Sequence, residues 1–203
     1  MCVSLFEREK TMLKLRKITR RVLLAAVAMG AAVNGADRPL EYRVLATSKT
    51  STMDKELNEA AGDGYRFAKA MGGKTANGGQ EVVIAMVKDP AASRSGFRYK
   101  LLATSKTSTM QKEMQSLADE GYEYVDQTVF QTAFGGREVV VIMEADPSRK
   151  EPRSTYRLLA TTKTSTLQKE LQEAGAQGYV LLGLTVGKTE IGGDEIVAVL
   201  RKN

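Results

Sequence analysis

The chain has 203 residues, of which 42% are hydrophobic and 27% charged, so a folded body is expected rather than global disorder. Its formal net charge is +6, but residues 1–36 carry seven basic and two acidic residues, which leaves 23 basic and 22 acidic residues in the remainder. Because that remainder has almost no positive excess to neutralise phosphates, the electrostatic basis for a nucleic-acid partner is missing.

The composition also excludes several kinds of site. Histidine and tryptophan are absent, and the only cysteine is Cys2. The body of the protein therefore cannot form disulfides, zinc sites of the Cys/His type, cysteine nucleophiles or histidine acid–base pairs. Chemistry built on carboxylates, lysines or hydroxyls remains open, and no cofactor is predicted.

Residues 1–36 are predicted to be a leader that contains a secretory signal peptide. Met12 is the expected true start, because a basic segment that begins there is followed by the apolar run Val22–Val33. The run Val22–Val33 is shorter than the about 20 apolar residues that a membrane-spanning helix needs. Cleavage near Ala36 would also remove this run, so no stable membrane span is expected afterwards. The segment Thr19–Leu24 also resembles the twin-arginine export pattern. A periplasmic or secreted protein is expected, by either export route.

The body repeats one sequence three times at a spacing of 57 residues. The stretch Ala46–Thr52 returns as Ala103–Thr109 and as Ala160–Thr166, and the copies align without a gap. Glycines and tyrosines recur at the same period, and segments rich in proline, serine and arginine separate the copies. The predicted repeats cover residues 41–90, 97–147 and 155–203.

Each repeat is predicted to fold as strand, helix, strand, strand. In the first copy the strand Tyr42–Ser48 precedes a helix whose start has the capping-box pattern of Ser51 and, three residues later, Asp54. An apolar stripe at helical spacing follows, and Gly64 lies where a left-handed helix cap is expected. The equivalents of the capping pair are Ser108 and Gln111 in the second copy, and Ser165 and Gln168 in the third.

Two apolar runs joined by a Gly-Gly pair end each repeat and predict a hairpin. The last run, Glu81–Val87 in the first copy, is apolar at consecutive positions, as is typical of a central strand buried on both faces. We therefore expect an α+β fold of three tandem β-α-β-β repeats. Each repeat would form a three-stranded antiparallel sheet of order 1-3-2 with one helix on one face. Since so small a unit buries little core, the repeats should pack together through the sheet faces opposite the helices.

The segment Leu57–Phe67, with the sequence LNEAAGDGYRF, resembles the signature of small bacterial domains of unknown function. Those domains carry Leu-Asn, several residues, then Gly-Trp or Gly-Tyr and an apolar residue, between a first strand and a terminal hairpin. Leu171–Leu181 fits this pattern almost as well, and Met114–Tyr124 fits it more loosely. The resemblance implies the β-α-β-β fold, and it brings no activity or functional residue to this chain.

The strand-to-helix junctions are the first candidate binding sites. Each junction combines a lysine and hydroxyl side chains with the free N–H groups of a helix start, a combination that favours a small anion. No glycine-rich loop precedes it, so the phosphate-loop pattern is incomplete, and a solvated helix start is the competing interpretation. The candidate residues are Lys49, Thr50, Ser51, Lys106, Thr107, Ser108, Lys163, Thr164 and Ser165.

The second strands differ most among the copies and predict one partner surface that the repeats form unequally. Gly72-Gly73 in the first copy aligns with Val129-Phe130 in the second and with Val186-Gly187 in the third. Phe130 and Phe134 are the candidate partner-binding residues.

Glutamates also recur, on the helices at Glu56, Glu113 and Glu170 and on the last strands at Glu81, Glu138 and Glu195. Paired carboxylates suit hydrolysis or metal binding, but the sequence does not bring the two sets together, so no catalytic or metal-binding residue is predicted. The expected function is that of an exported, non-enzymatic binding or structural module of the cell envelope. Its partner would be an unknown envelope protein or a small ligand. The alternatives are a small-anion or small-ligand binder using the junctions and a carboxylate-based hydrolase.

Overall fold

A computed structural model describes residues 39–75, 79–92, 95–131, 137–149, 154–188 and 193–203. The predicted leader, residues 1–36, lies outside these ranges. The three repeats belong to one structural unit.

Each repeat consists of a strand, a helix of 13 residues and two further strands. The first repeat comprises β1 (Glu41–Thr47), α1 (Thr50–Gly62), β2 (Arg66–Lys74) and β3 (Gln80–Lys88). The second comprises β4 (Arg98–Thr104), α2 (Thr107–Asp119), β5 (Glu123–Gln131) and β6 (Arg137–Ala145). The third comprises β7 (Thr155–Thr161), α3 (Thr164–Ala176), β8 (Val180–Lys188) and β9 (Asp194–Lys202). The predicted α+β fold of three tandem β-α-β-β units is confirmed.

The helix of each repeat is amphipathic and is followed by a glycine cap. In α1, Met53, Leu57 and Ala60 recur at helical spacing and are buried. Gly64 has a φ angle of +89°, and the N–H of the next residue, Tyr65, donates to the carbonyl of Ala60 over 3.0 Å. The left-handed cap predicted from the sequence is therefore present. The equivalent glycines are Gly121, with φ of +91°, and Gly178, with φ of +86°.

The three strands of each repeat form an antiparallel sheet whose central strand is the last in sequence. The orders are β1-β3-β2, β4-β6-β5 and β7-β9-β8, as predicted. In β6 every residue from Val139 to Ala145 is buried, because both faces of this strand pack against helices or neighbouring sheets. The edge strands β2, β5 and β8 each contain a shift of register, which bends a strand.

The helices α1 and α2 each lie between two sheets. We call the face of a sheet that points away from its own helix the back face, which in the second sheet includes Tyr99, Leu101, Val140 and Ile142. These residues share a hydrophobic cluster with the apolar stripe of α1, and the back face of the third sheet shares one with α2. The repeats thus stack in alternating sheet and helix layers. The predicted packing through back faces is confirmed for the second and third repeats.

Candidate interaction surfaces

The strand-to-helix junctions differ from the predicted capping box. Thr50 is the first residue of α1 and Lys49 is its N-cap, without a side-chain hydrogen bond at the cap. The N–H of Lys49 instead donates to Oγ1 of Thr47 over 3.1 Å. The other two helices begin in the same way. The prediction that Ser51 and Asp54 form a capping box is therefore wrong, since the helix starts before Ser51.

The three junction lysines are exposed, and acidic side chains accompany two of the junctions. A cleft of about 460 Å³ at the first junction is lined partly by Asp54 and Glu113, and also by Lys100. At the second junction, Oγ1 of Thr107 donates to the carboxylate of Glu195 over 3.1 Å. Carboxylates repel an anion, so these acidic side chains oppose anion binding at the two junctions. Anion binding at the junctions stays a prediction.

The polar residues expected at the helix start bind the neighbouring repeat instead. Oδ1 of Asp54 accepts a hydrogen bond from the backbone N–H of Leu101 over 3.0 Å. One helical turn later, Oδ1 of Asn58 accepts from the N–H of Tyr99 over 2.9 Å, and its Nδ2 donates to the carbonyl of Tyr99 over 3.0 Å. Because β4 is an edge strand, α1 satisfies backbone groups that the second sheet leaves unpaired.

The second interface repeats these bonds with longer side chains. Oε1 of Gln111 accepts from the N–H of Leu158, and Oε1 of Gln115 accepts from the N–H of Tyr156, both over 3.0 Å. Residues four apart on a helix lie on the same side, so one face of α2 binds the edge of β7. The same helix-to-strand contact therefore joins the first repeat to the second and the second to the third.

A buried tyrosine of the following repeat completes each interface. The hydroxyl of Tyr99 accepts from the N–H of Phe67 over 2.9 Å and donates to Oε2 of Glu144 over 2.7 Å. The hydroxyl of Tyr156 accepts from the N–H of Tyr124 over 2.8 Å. Burial raises the pKa of Tyr99 and of Tyr156 above the ordinary value of 10.0, because desolvation disfavours a phenolate. Both phenols therefore stay neutral to a higher pH than an exposed tyrosine does.

Each interface also contains an ion pair, and the two pairs have opposite polarity. In the first, Arg66 donates to both carboxylate oxygens of Glu144, over 2.7 and 3.2 Å. This hydrogen bonding raises the pKa of Arg66 and keeps its guanidinium charged. In the second, Glu123 is equivalent to Arg66, and it accepts from Arg201 over 3.0 Å. Arg149 contacts the same carboxylate.

Strand β2 crosses β5 closely along the first interface. Oδ2 of Asp126 accepts from the N–H of Ala70 over 3.0 Å, and Oγ1 of Thr128 accepts from the N–H of Gly72 over 2.7 Å. A Cβ atom on Gly72 would lie 1.9 Å from the carbonyl oxygen of Val129. Only glycine fits where two backbones approach so closely.

The first repeat leaves its back face uncovered, since no repeat precedes it in the described part of the chain. Tyr42 is 65% exposed, whereas the equivalent Tyr99 and Tyr156 are 1% and 3% exposed. Other apolar side chains on this side of the first repeat are exposed as well. We call this region the head surface, and it consists of Leu40, Tyr42, Val44 and Met71.

The third repeat leaves uncovered the groups that bind a following sheet in the other repeats. Four apolar side chains of β8 are exposed, at positions whose equivalents in β2 face the second repeat. Gln168 and Gln172 of α3, the equivalents of Asp54 and Asn58, are also exposed. We call this region the tail surface, and it consists of Gln168, Gln172, Val180, Leu181, Leu184 and Val186.

The structure does not show a binding or catalytic arrangement at the remaining predicted sites that it describes. Phe134 and the side chain of Phe130 lie outside the part of the chain that the structure describes. Glu81 accepts a hydrogen bond from Thr75 over 2.5 Å. Among the described residues, no three His, Cys, Asp or Glu side chains form a group that could hold a metal ion, and no helix is long and apolar enough to cross a membrane. A hydrolytic role for the repeated glutamates stays a prediction.

Comparison with known proteins provides no information on the function of these surfaces. No family model, curated protein or solved structure matches the chain. The resemblance to small bacterial domains of unknown function therefore stays a prediction beyond the β-α-β-β fold.

The head and tail surfaces are not among the sites predicted from the sequence, although an alignment of the three repeats indicates them. Arg66 and Glu123 are charged, but the equivalent residue in the third copy is Val180. Likewise Glu144 is charged, whereas the equivalent residue in the first copy is Val87. A position that is charged where it meets another repeat and apolar at a free end points to an unsatisfied surface.

Proposed function

We propose that the protein is an exported, non-enzymatic interaction module of the cell envelope that binds its partner through the head and tail surfaces. The observation that carries this proposal is the distribution of exposed apolar side chains. In the described part of the chain, all eight large hydrophobic side chains that are exposed belong to the head or the tail surface, four to each. Contiguous exposed apolar groups mark interaction sites.

The ends of the repeat stack support a binding role because they lack polar caps. Repeat proteins that act alone need terminal repeats with polar outer faces to stay soluble. Here Tyr42 and Val44 are 65% and 66% exposed at one end, although their equivalents inside the stack are buried or half-buried. Burying such a side chain contributes about 1.5–3 kcal/mol, and no described part of the chain buries these two, so a partner that covers them gains this free energy.

The leader and the composition support the rest of the proposal. The apolar run Val22–Val33 after a basic segment favours export. Without histidine, and with Cys2 as the only cysteine, the exported body lacks the side chains on which most hydrolases depend. Its nearly balanced charge favours a protein partner over a nucleic acid.

Photo-crosslinking in the native cell tests this proposal. A photoreactive phenylalanine analogue at Tyr42 or Val186 should form adducts with a protein in the envelope fraction. The same analogue at Ser116, which is exposed on α2 outside both surfaces, should form none. Placing it at Phe130 examines the predicted second-strand surface in the same experiment. Absence of adducts at both Tyr42 and Val186, or retention of the protein in the cytoplasm, would contradict the proposal.

A further inference from the structure

We infer that the head surface of one chain docks on the tail surface of a second copy, so that the chains assemble head to tail. This inference rests on the proposed interaction role and names its partner. The contact between chains would be a third instance of the interface that already joins the repeats within one chain.

The backbone groups and side chains for a third interface are present at the two ends. Inside the chain, each helix offers two polar side chains to the edge strand of the next repeat. In α3 the equivalent side chains are Gln168 and Gln172, and no described strand covers them. In the first repeat the equivalent strand is β1, which is also an edge strand. Gln172 would accept from the N–H of Tyr42, and Gln168 from the N–H of Val44.

The aromatic contact of the internal interfaces can also be formed. The hydroxyls of Tyr99 and Tyr156 each accept a hydrogen bond from a backbone N–H on the second strand of the preceding repeat. The equivalent pair at the ends is Tyr42 and the N–H of Leu181. Docking would bury the ring of Tyr42, which is 65% exposed in the single chain. A tyrosine suits this environment because its ring is apolar and its hydroxyl finds a partner.

The ion-pair positions show that the ends match each other. Internally these positions hold oppositely charged partners, Arg66 with Glu144 and Glu123 with Arg201. At the ends, the equivalent positions are Val180 on the tail and Val87 on the head side. A charge at either position would face an apolar partner without a counter-ion, whereas two valines match.

A second apolar match accompanies the first. Thr128 binds the backbone of Gly72 inside the chain, and the residues equivalent to this pair at the ends are Met71 and Val186. Both are exposed and apolar, so they would pack together on docking. The third interface would follow the second one here, because the second has Val129 at the position of Gly72 and already holds a side chain there. Two bonds of the first interface are not reproduced, because Lys69 and Met71 on the head side stand where the second repeat has the acceptors Asp126 and Thr128.

The partner must be another molecule, because the head and tail surfaces of one chain are both exposed. A contact between two different surfaces of identical chains is heterologous. Such a contact produces a closed ring if the rotation between copies closes, and an open filament if it does not. Both outcomes leave no head or tail surface exposed along the assembly, apart from the ends of a filament.

Sedimentation of the protein purified from its own envelope, with two blocking variants, tests the inference. The unmodified protein should form species heavier than a monomer at about 1–100 μM, a range in which interfaces of moderate affinity are populated. Val44→Glu blocks the head and Val186→Glu blocks the tail, and each variant alone should remain monomeric. A mixture of the two should form a 1:1 dimer and stop there, because one variant keeps a tail and the other keeps a head. Ser116→Glu, with the same charge change on α2, should assemble like the unmodified protein.

Several results would overturn the inference. A monomeric unmodified protein over the whole concentration range would overturn it, as would either single variant assembling like the unmodified protein. Failure of the mixture to form dimers would also refute a head-to-tail contact. A symmetric contact, head to head or tail to tail, would be recognised because the variant that keeps the surface in question would still dimerise. If the purified protein is monomeric but crosslinks at Tyr42 and Val186 still capture a different protein, self-docking fails and the proposed function stands.

Hydrogen exchange gives a second readout that does not depend on mass. Assembly should protect the amides of Tyr42 and Val44, since they would bind Gln172 and Gln168 of the second copy. In the Val186→Glu variant these amides should exchange at least tenfold faster than in the unmodified protein. Equal exchange in both proteins would contradict the docking geometry.

Discussion

The two internal interfaces share their helix-to-strand hydrogen bonds but contain ion pairs of opposite polarity. Arg66 meets Glu144 in the first interface, and Glu123 meets Arg201 in the second. If the third sheet docked on the first helix, Arg66 would face Arg201 without a counter-ion. The reversal therefore penalises a wrong order of repeats, which identical copies could not do. The pairs contribute specificity even where their net effect on stability is small.

The interfaces also differ in how closely the strands approach. A Cβ atom on Gly72 would lie 1.9 Å from the backbone oxygen of Val129, in the first interface. In the second interface, a Cβ atom on Gly183 would lie 2.2 Å from the hydroxyl of Tyr124 and 2.6 Å from Oε1 of Gln127. The first contact is between two backbones, and the second is between a backbone and the ends of two side chains. The first interface is therefore less able to adapt.

Reversing one charge in the first interface should have the largest effect. In Glu144→Arg, a buried arginine faces Arg66, and removing one partner of a buried pair costs about 3–5 kcal/mol. Because Arg66 is partly exposed, we expect a loss near the lower value, about 3 kcal/mol, in denaturant unfolding. The double variant Arg66→Glu with Glu144→Arg copies the polarity of the second interface and should recover most of this loss.

The double variant is the decisive control for the charge reversal. If the double variant recovers stability, the loss in Glu144→Arg is due to the missing ion pair and not to the strain of placing an arginine side chain at position 144. Should the double variant be as unstable as Glu144→Arg, steric fit rather than charge would determine the first interface, and the role of the pairs in ordering the repeats would be refuted.

Adding a methyl group at the strand crossings should have the next largest effect. Gly72→Ala places an atom against the backbone of β5, and overpacking of this kind costs about 2 kcal/mol. Gly183→Ala meets only side-chain ends and should cost about 1 kcal/mol. Gly73→Ala, with no atom within 4 Å of its Cβ, is the matched control and should change stability by about 0.5 kcal/mol or less. Equal losses at Gly72 and Gly183, measured by thermal unfolding, would show that the two interfaces adapt alike.

The repeat sequence predicts the fold well because each of its signals is local. The helix cap at Gly64 depends only on the backbone conformation of that residue. The central position of β6 is indicated by its consecutive apolar residues, which require only that both faces of the strand are buried. Asp54 and Gln111 were misassigned because a capping box and a bond to a neighbouring strand use the same polar residue types. Their partners lie 47 residues away, on the next repeat, so no local pattern distinguishes the two roles.

Aligning the repeats does not predict the interfaces, because each contact joins different positions of different repeats. Arg66 and Glu144 are 78 residues apart, which is not the repeat spacing of 57, so an alignment of the copies does not place them together. The compensating pair Glu123 and Arg201 has the same separation. Searching a repeat sequence for charge reversals at a constant separation would have found both pairs.

The smallest expected effect concerns the buried tyrosine, and it compares the interior of the stack with its exposed head. Tyr99→Phe removes the acceptor for the N–H of Phe67 and the donor to Glu144, which should cost about 1–2 kcal/mol at neutral pH. Tyr42→Phe alters an exposed side chain and should change the stability of the monomer by about 0.5 kcal/mol or less.

Raising the pH gives a second test of the buried Tyr99. Burial raises the pKa of Tyr99 above 10.0, so above pH 10 the unfolded chain loses this proton while the folded chain keeps it. The stabilisation by the neutral phenol is complete below pH 10 and decreases as the pH rises above it. Between about pH 10 and 11, the free energy of unfolding should fall more steeply in the unmodified protein than in Tyr99→Phe, by about 1 kcal/mol per pH unit. Identical slopes would mean that Tyr99 ionises as readily in the folded protein as in the unfolded chain, and that the interface admits water.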